Sequence, residues 1–165
     1  MEEDTLASVF LWLHITGVIT FGIGLVGSFI MSFFAGREKD VKVVQGLVNL
    51  GKKFTRFINI GGAVFILAGL STAWREEVPI LGFLQGGEEN WLLVSIILFI
   101  STFPAILLYI PREKVINKEL ETAVIKGQIT PELENAFANR TLRNGQIYEI
   151  TIYAVIVFLM VVKPF

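Results

Sequence analysis

Four apolar runs separated by charged stretches organise the chain, at residues 6–35, 57–74, 91–110 and 150–162. An uncharged apolar run of about 20 residues crosses the ~30 Å hydrocarbon core as a helix. The first run exceeds that need, and the last falls short of it. Upstream of the last, Thr130-Pro131-Glu132 reads as a helix start, with Thr as cap and Pro in the first turn. The fourth helix is therefore expected to begin outside the membrane and run into it, with Gly145 as its weak point. The pattern predicts an all-α integral membrane four-helix bundle, a single transmembrane domain over residues 1–165.

Two charged segments, 36–56 and 111–149, join spans one to two and three to four. The longer reads as two short amphipathic helices split near Gly127, the first carrying Val115, Ile116, Leu120, Ala123, Val124 and Ile125 on its apolar side. Such helices lie on the membrane surface or cap the bundle, and a cap is the expectation. Composition agrees with a membrane chain: 53% of 165 residues are hydrophobic, 18% are charged and mean hydropathy is +0.65, well outside the range of soluble domains. The absence of Cys removes disulfides, thiolate metal sites and Cys nucleophiles. A single His removes any site needing two imidazoles from one chain. No phosphate-binding loop, nucleophile elbow or metalloprotease helix motif occurs.

The net charge of −1 excludes a nucleic-acid-binding stripe but hides an asymmetry. Twelve Lys and Arg lie in the two long loops, and only Arg75 and Lys163 lie on the other face. The positive-inside rule then predicts both termini outside and the long loops in the cytoplasm, in a multi-pass protein of the plasma (cytoplasmic) membrane. Glu2, Glu3, Asp4, Glu76, Glu77, Glu88 and Glu89 make the outer face acidic, read here as solvated loops. The acidic N-terminus and the length of the first run argue against a cleaved signal peptide.

Candidate chemistry concentrates on span one. Thr20, Gly24, Ser28 and Ser32 recur every four residues, and Gly17 joins their side, a helix-packing ladder that lets a neighbour approach closely. Gly61, Gly62, Ala68 and Gly69 give span two the same character, and Pro104 should kink or break span three. His14 projects toward the packed side of span one and is the one clear ionisable group inside a span. It reads either as a neutral imidazole bonded to a neighbouring helix or as an axial ligand of a haem iron. For the second reading Met160, at matching depth on the antiparallel fourth span, is the candidate partner.

The ending Leu159-Met160-Val161-Val162-Lys163-Pro164-Phe165 resembles that of an uncharacterised four-span integral-membrane family of bacteria and archaea. Together with Leu13-His14-Ile15 and Gly24-Leu25 it is also similar to the HemJ-type protoporphyrinogen oxidases. That resemblance implies haem b bound through His14. Ile30 and Ser95 stand about where that family carries basic residues, so the likeness implies a shared scaffold more than porphyrinogen oxidation. Copper-resistance membrane proteins have a similar His-bearing first helix. Two functions follow as expectations. The first is a non-enzymatic accessory or scaffold subunit that packs through the small-residue face of span one against itself or a larger membrane complex. The second is a haem b-binding redox protein with His14 as ligand. Transport of a small solute or ion is disfavoured because no span carries an internal Asp, Glu, Lys or Arg to bind a charged substrate, and Glu149 lies only at the inner entrance of span four.

Overall fold

The computed structural model describes residues 2–87 and 90–164; Met1, Glu88, Glu89 and Phe165 lie outside them. The described residues form helices α1 (Glu2–Ala35), α2 (Val41–Arg75), α3 (Trp91–Lys126), α4 (Pro131–Phe137) and α5 (Arg140–Val162), with a 3₁₀ turn at Gly82–Gln85 and no strand. The fold is all-helical, with four helical segments long and apolar enough to cross a membrane.

The helices outrun the apolar spans. Asp40 caps α2 by accepting from the Lys42 backbone N–H, so the helix starts at Val41 and residues 41–56, taken above as loop, are helical. The first amphipathic segment of the long loop is likewise no separate helix but the continuation of α3, ended by Gly127 in the left-handed conformation. Pro104 does not break α3, which continues through both Pro104 and Pro111. Thr130 caps α4 as its sequence promised, accepting from Leu133 N–H. The fourth span nevertheless breaks at Ala138 and Asn139, where Asn139 caps α5 anew, while Gly145 sits inside α5.

Glycine sets the packing of α1 on α2. A Cβ on Gly17 would stand 2.6 Å from the Phe65 backbone nitrogen, and one on Gly24 would stand 2.6 Å from that of Ile58. From the other side Gly61 meets the Phe21 backbone. Where lipid competes for every apolar side chain, such close backbone approach is what holds helices together. Helices α3 and α5 form the second pair, joined by a 2.7 Å hydrogen bond between Ser101 Oγ and Tyr148 Oη. The Lys163 amino group lies 5.1 Å over the Trp91 ring, tying the end of α5 to the start of α3.

The best-buried apolar core lies at one end, beyond the apolar spans. Ala35, Val41, Val44, Ile116, Leu120, Ala123, Leu133 and Leu142 cluster where the ends of α1, α2, α3 and α5 meet α4. The amphipathic segments cap the bundle: Leu120, Ala123 and Leu133 are buried, whereas Ile125 is exposed. An exposed Lys39–Glu134 pair at 2.7 Å links the α1–α2 turn to α4. This end also carries the twelve Lys and Arg of the two long segments and is called the basic end below.

Candidate functional site

The two helix pairs leave a cleft of about 330 Å³ between them. Each helix contributes one stripe at three- or four-residue spacing, the period that places side chains on one helix face. Val18, Phe21, Leu25 and Ser28 come from α1; Phe99, Thr102, Phe103, Ile106, Ile110 and Glu113 come from α3. From α5 come Gln146, Glu149, Tyr153, Ile156 and Met160, and from α2 Thr55, Ile58, Asn59 and Phe65. The α5 stripe runs from Gln146 to Met160, about 21 Å at 1.5 Å per residue.

Polarity changes along that length. The middle and the terminal end are mostly apolar and aromatic apart from Asn59 and Tyr153, with Phe65 edge-on to both Phe21 and Phe99 at ring distances of 5.2 and 5.7 Å. Toward the basic end stand Glu113, Gln146 and Glu149, the last two with buried side chains. Tyr153 spans the cleft wall and donates from its hydroxyl to the Val18 carbonyl at 2.9 Å, tying α5 to α1. It reaches across because residue 22 is glycine: a Cβ there would meet the Tyr153 hydroxyl oxygen at 2.5 Å.

A smaller cavity of about 80 Å³ adjoins this end. Ser28, Thr55, Glu113 and Gln146 line both spaces and form the neck between them. Lys52 and Asn117 line only the smaller one, and Asn117 Oδ1 is buried without a hydrogen-bond partner.

The residues singled out in the sequence divide between two places. His14 lies in the α1–α2 seam, where its Nδ1 meets the Phe65 carbonyl at 2.8 Å. A carbonyl only accepts, so Nδ1 carries the proton in that bond. The ring fits against α2 because residue 69 is glycine, whose Cβ would stand 2.6 Å from Nδ1. Met160 lines the cleft, which His14 does not. A haem bound between the two needs both side chains to face one cavity, and neither cavity holds both. The structure does not bring the pair to one of these two cavities.

The small-residue ladder divides as well. Gly17 and Gly24 are occupied by α2 of the same chain, so they present no open face to a partner. The Thr20 hydroxyl turns back to the Thr16 carbonyl of its own helix at 2.7 Å. Ser28 lines the neck and Ser32 the smaller cavity. Sequence reasoning missed Glu113, Asn59, Gln146 and Tyr153, although Gln146, Glu149 and Tyr153 share one helical face and could have been read as a polar stripe.

The family model described as predicted integral membrane protein (DUF2269) matches residues 8–164. The chain belongs to that family. No curated protein and no solved structure matches it. The family is uncharacterised, and the chain is a member with four candidate membrane spans. Among the described residues no three His, Asp or Glu side chains converge as a metal site.

Proposed function

We propose that this multi-pass protein is a non-enzymatic membrane subunit that holds the apolar chain of an amphiphile between its two helix pairs. One observation carries the reading: a 330 Å³ cleft, elongated along the helices and walled mostly by apolar side chains of the four long ones. Binding sites for small molecules are concave, mostly apolar and supplied with a few polar groups. The carboxyl and amide groups of Glu113, Gln146 and Glu149 stand toward one end, a layout that suits a molecule with a head and a tail. The scaffold role expected from span one is thereby moved from the glycine face, which α2 covers, to the cleft. With the charge asymmetry of the loops, the reading puts the polar end on the cytoplasmic side, both termini outside and the protein in the plasma membrane.

The test is retention of lipid by the purified full chain. Native mass spectrometry of the wild-type protein should show a bound amphiphile that survives detergent exchange. Ile156→Trp and Ile106→Trp, each filling the cleft from a different helix, should lose it while the helical circular dichroism persists. Equal retention in both variants would refute cleft binding.

Haem b held through His14 is the second reading. The Nδ1–carbonyl bond is of the kind that orients metal-ligating His residues through the other ring nitrogen, and is equally the bond of an imidazole that only joins two helices. An absorption spectrum of protein expressed with ample haem decides: a Soret band abolished by His14→Ala supports it, and a colourless protein ends it.

A further inference from the structure

The charge surplus of the basic end belongs to one helix face. The two long segments carry twelve bases and eight acids, and four of the bases, Lys42, Lys52, Lys53 and Arg56, stand on α2, which has no Asp or Glu anywhere between Val41 and Arg75. The remaining eight bases and eight acids balance. At about 100° per residue the four cations fall within about 100° of arc, on the side of α2 away from Gly61 and its seam with α1. All four are exposed, and among the described residues none of them forms an ion pair. The same arc continues into the apolar run as Ile60, Ala63, Leu67 and Trp74, which are exposed as well.

Depth sorts the four cations. Lys52, Lys53 and Arg56 fall within about 6 Å of helix length, just before the apolar run that opens at Phe57, and about 6 Å is the thickness of one headgroup layer. Lys42 stands about 15 Å farther out. A guanidinium and two ammonium groups at headgroup level, with no carboxylate on their helix, are matched by a phosphate. We propose that this face of α2 docks an anionic phospholipid, its phosphate held by Lys52, Lys53 and Arg56 and its acyl chains laid along Ile60, Ala63 and Leu67. The cations by themselves suit an acidic protein equally. The apolar continuation of the same face, at the depth where acyl chains begin, selects the lipid. The surface stands apart from the cleft and does not depend on the chain-binding reading above.

Dioleoyl phosphatidylglycerol and dioleoyl phosphatidylcholine, titrated against the detergent-purified full chain by native mass spectrometry, isolate the head because their tails are the same. A basic residue near a charged headgroup layer is worth about fivefold in affinity, so the wild type should prefer the anionic lipid by at least about tenfold. In the triple variant Lys52→Gln, Lys53→Gln, Arg56→Gln that preference should vanish, while phosphatidylcholine binding stays within about twofold and so reports an intact fold. Removing three bases from the balanced part of the same end, by Arg112→Gln, Lys114→Gln and Lys118→Gln, should leave the preference in place; an equal loss there reduces the effect to net charge and overturns the assignment. A preference that survives in the α2 triple variant overturns it too, and so does its absence from the wild type, which hands the cations to an acidic protein. Glycerol phosphate, an anion without chains, should fail to displace the lipid, and displacement would overturn the acyl contact. The cleft-filling Ile156→Trp should keep the preference; its loss there would place the lipid in the cleft instead of on α2.

Discussion

At Gly61 a single methyl group would run into the Phe21 backbone of the facing helix, and backbone cannot rotate aside as a side chain can. Gly61→Ala should therefore force α1 and α2 apart and destabilise the protein by about 1–3 kcal/mol, as overpacking does, seen as a lower midpoint of thermal unfolding in detergent. Gly46, with nothing near its missing Cβ, is the control, and Gly46→Ala should leave the midpoint unchanged or raise it, because Ala is the better helix former. Tyr153→Phe keeps the ring and removes the bond to the Val18 carbonyl; a net hydrogen bond is worth about 1 kcal/mol, so its cost should be smaller than that of Gly61→Ala. Close approach at Gly17, Gly24 and Gly61 was legible in the sequence as a small-residue pattern, since in a membrane such spacing has few other uses. That the approach is made by α2 of the same chain was not legible. The pattern states that a helix comes near without naming it.

The elements teach how much a hydropathy pattern omits. Apolar runs located all four crossings but not the helix ends, because a helix that leaves the bilayer changes composition without changing its backbone. Residues 41–56 look like loop beside the spans and are helix in fact, started by Asp40, whereas the amphipathic helix read before Gly127 is present but is one with the third span. The turn between α1 and α2 has an acid-sensitive staple. Glu38 accepts from the Lys39 and Asp40 backbone N–H groups, and those bonds hold its carboxyl below its ordinary value. A lowered carboxylate favours the folded turn above the ordinary carboxylate range and loses that contribution as pH falls through the lowered value. The protection of the Lys39 and Asp40 amides, measured relative to their intrinsic exchange rate at each pH, should fall on acidification in the wild type, and Glu38→Gln should show no such pH dependence. At the next element, Leu133→Ala empties a fully buried position of α4 and should cost about 2–5 kcal/mol. Glu134→Ala, which removes only the exposed pair with Lys39, should cost less than about 1 kcal/mol. Chemical denaturation of both variants checks the contrast.

At the scale of the whole molecule, two helix pairs meet along a cleft and are clasped at both ends, by Lys163 over Trp91 at one and by the α4 core at the other. The cleft was hidden from sequence reasoning because its wall is shared. One stripe per helix looks like ordinary core until four are brought together, and Glu113 falls just beyond the apolar run that was read as a span. The charge asymmetry yields a test at this scale: cysteine at Glu76 should react with an impermeant maleimide on intact cells, and cysteine at Lys118 should not; the reverse would invert the topology. The α4 core also orders the assembly of the protein. Its side chains come from the ends of α1, α2, α3 and α5 as well as from α4, so no pair of helices completes it alone. A chain with only its first two spans inserted presents Val44 and Ala35 to water with nothing over them. The last crossing is thus also the step that brings α4 and the start of α5 over the apolar ends of the first two, so the order in which the crossings are made leaves this core for the end.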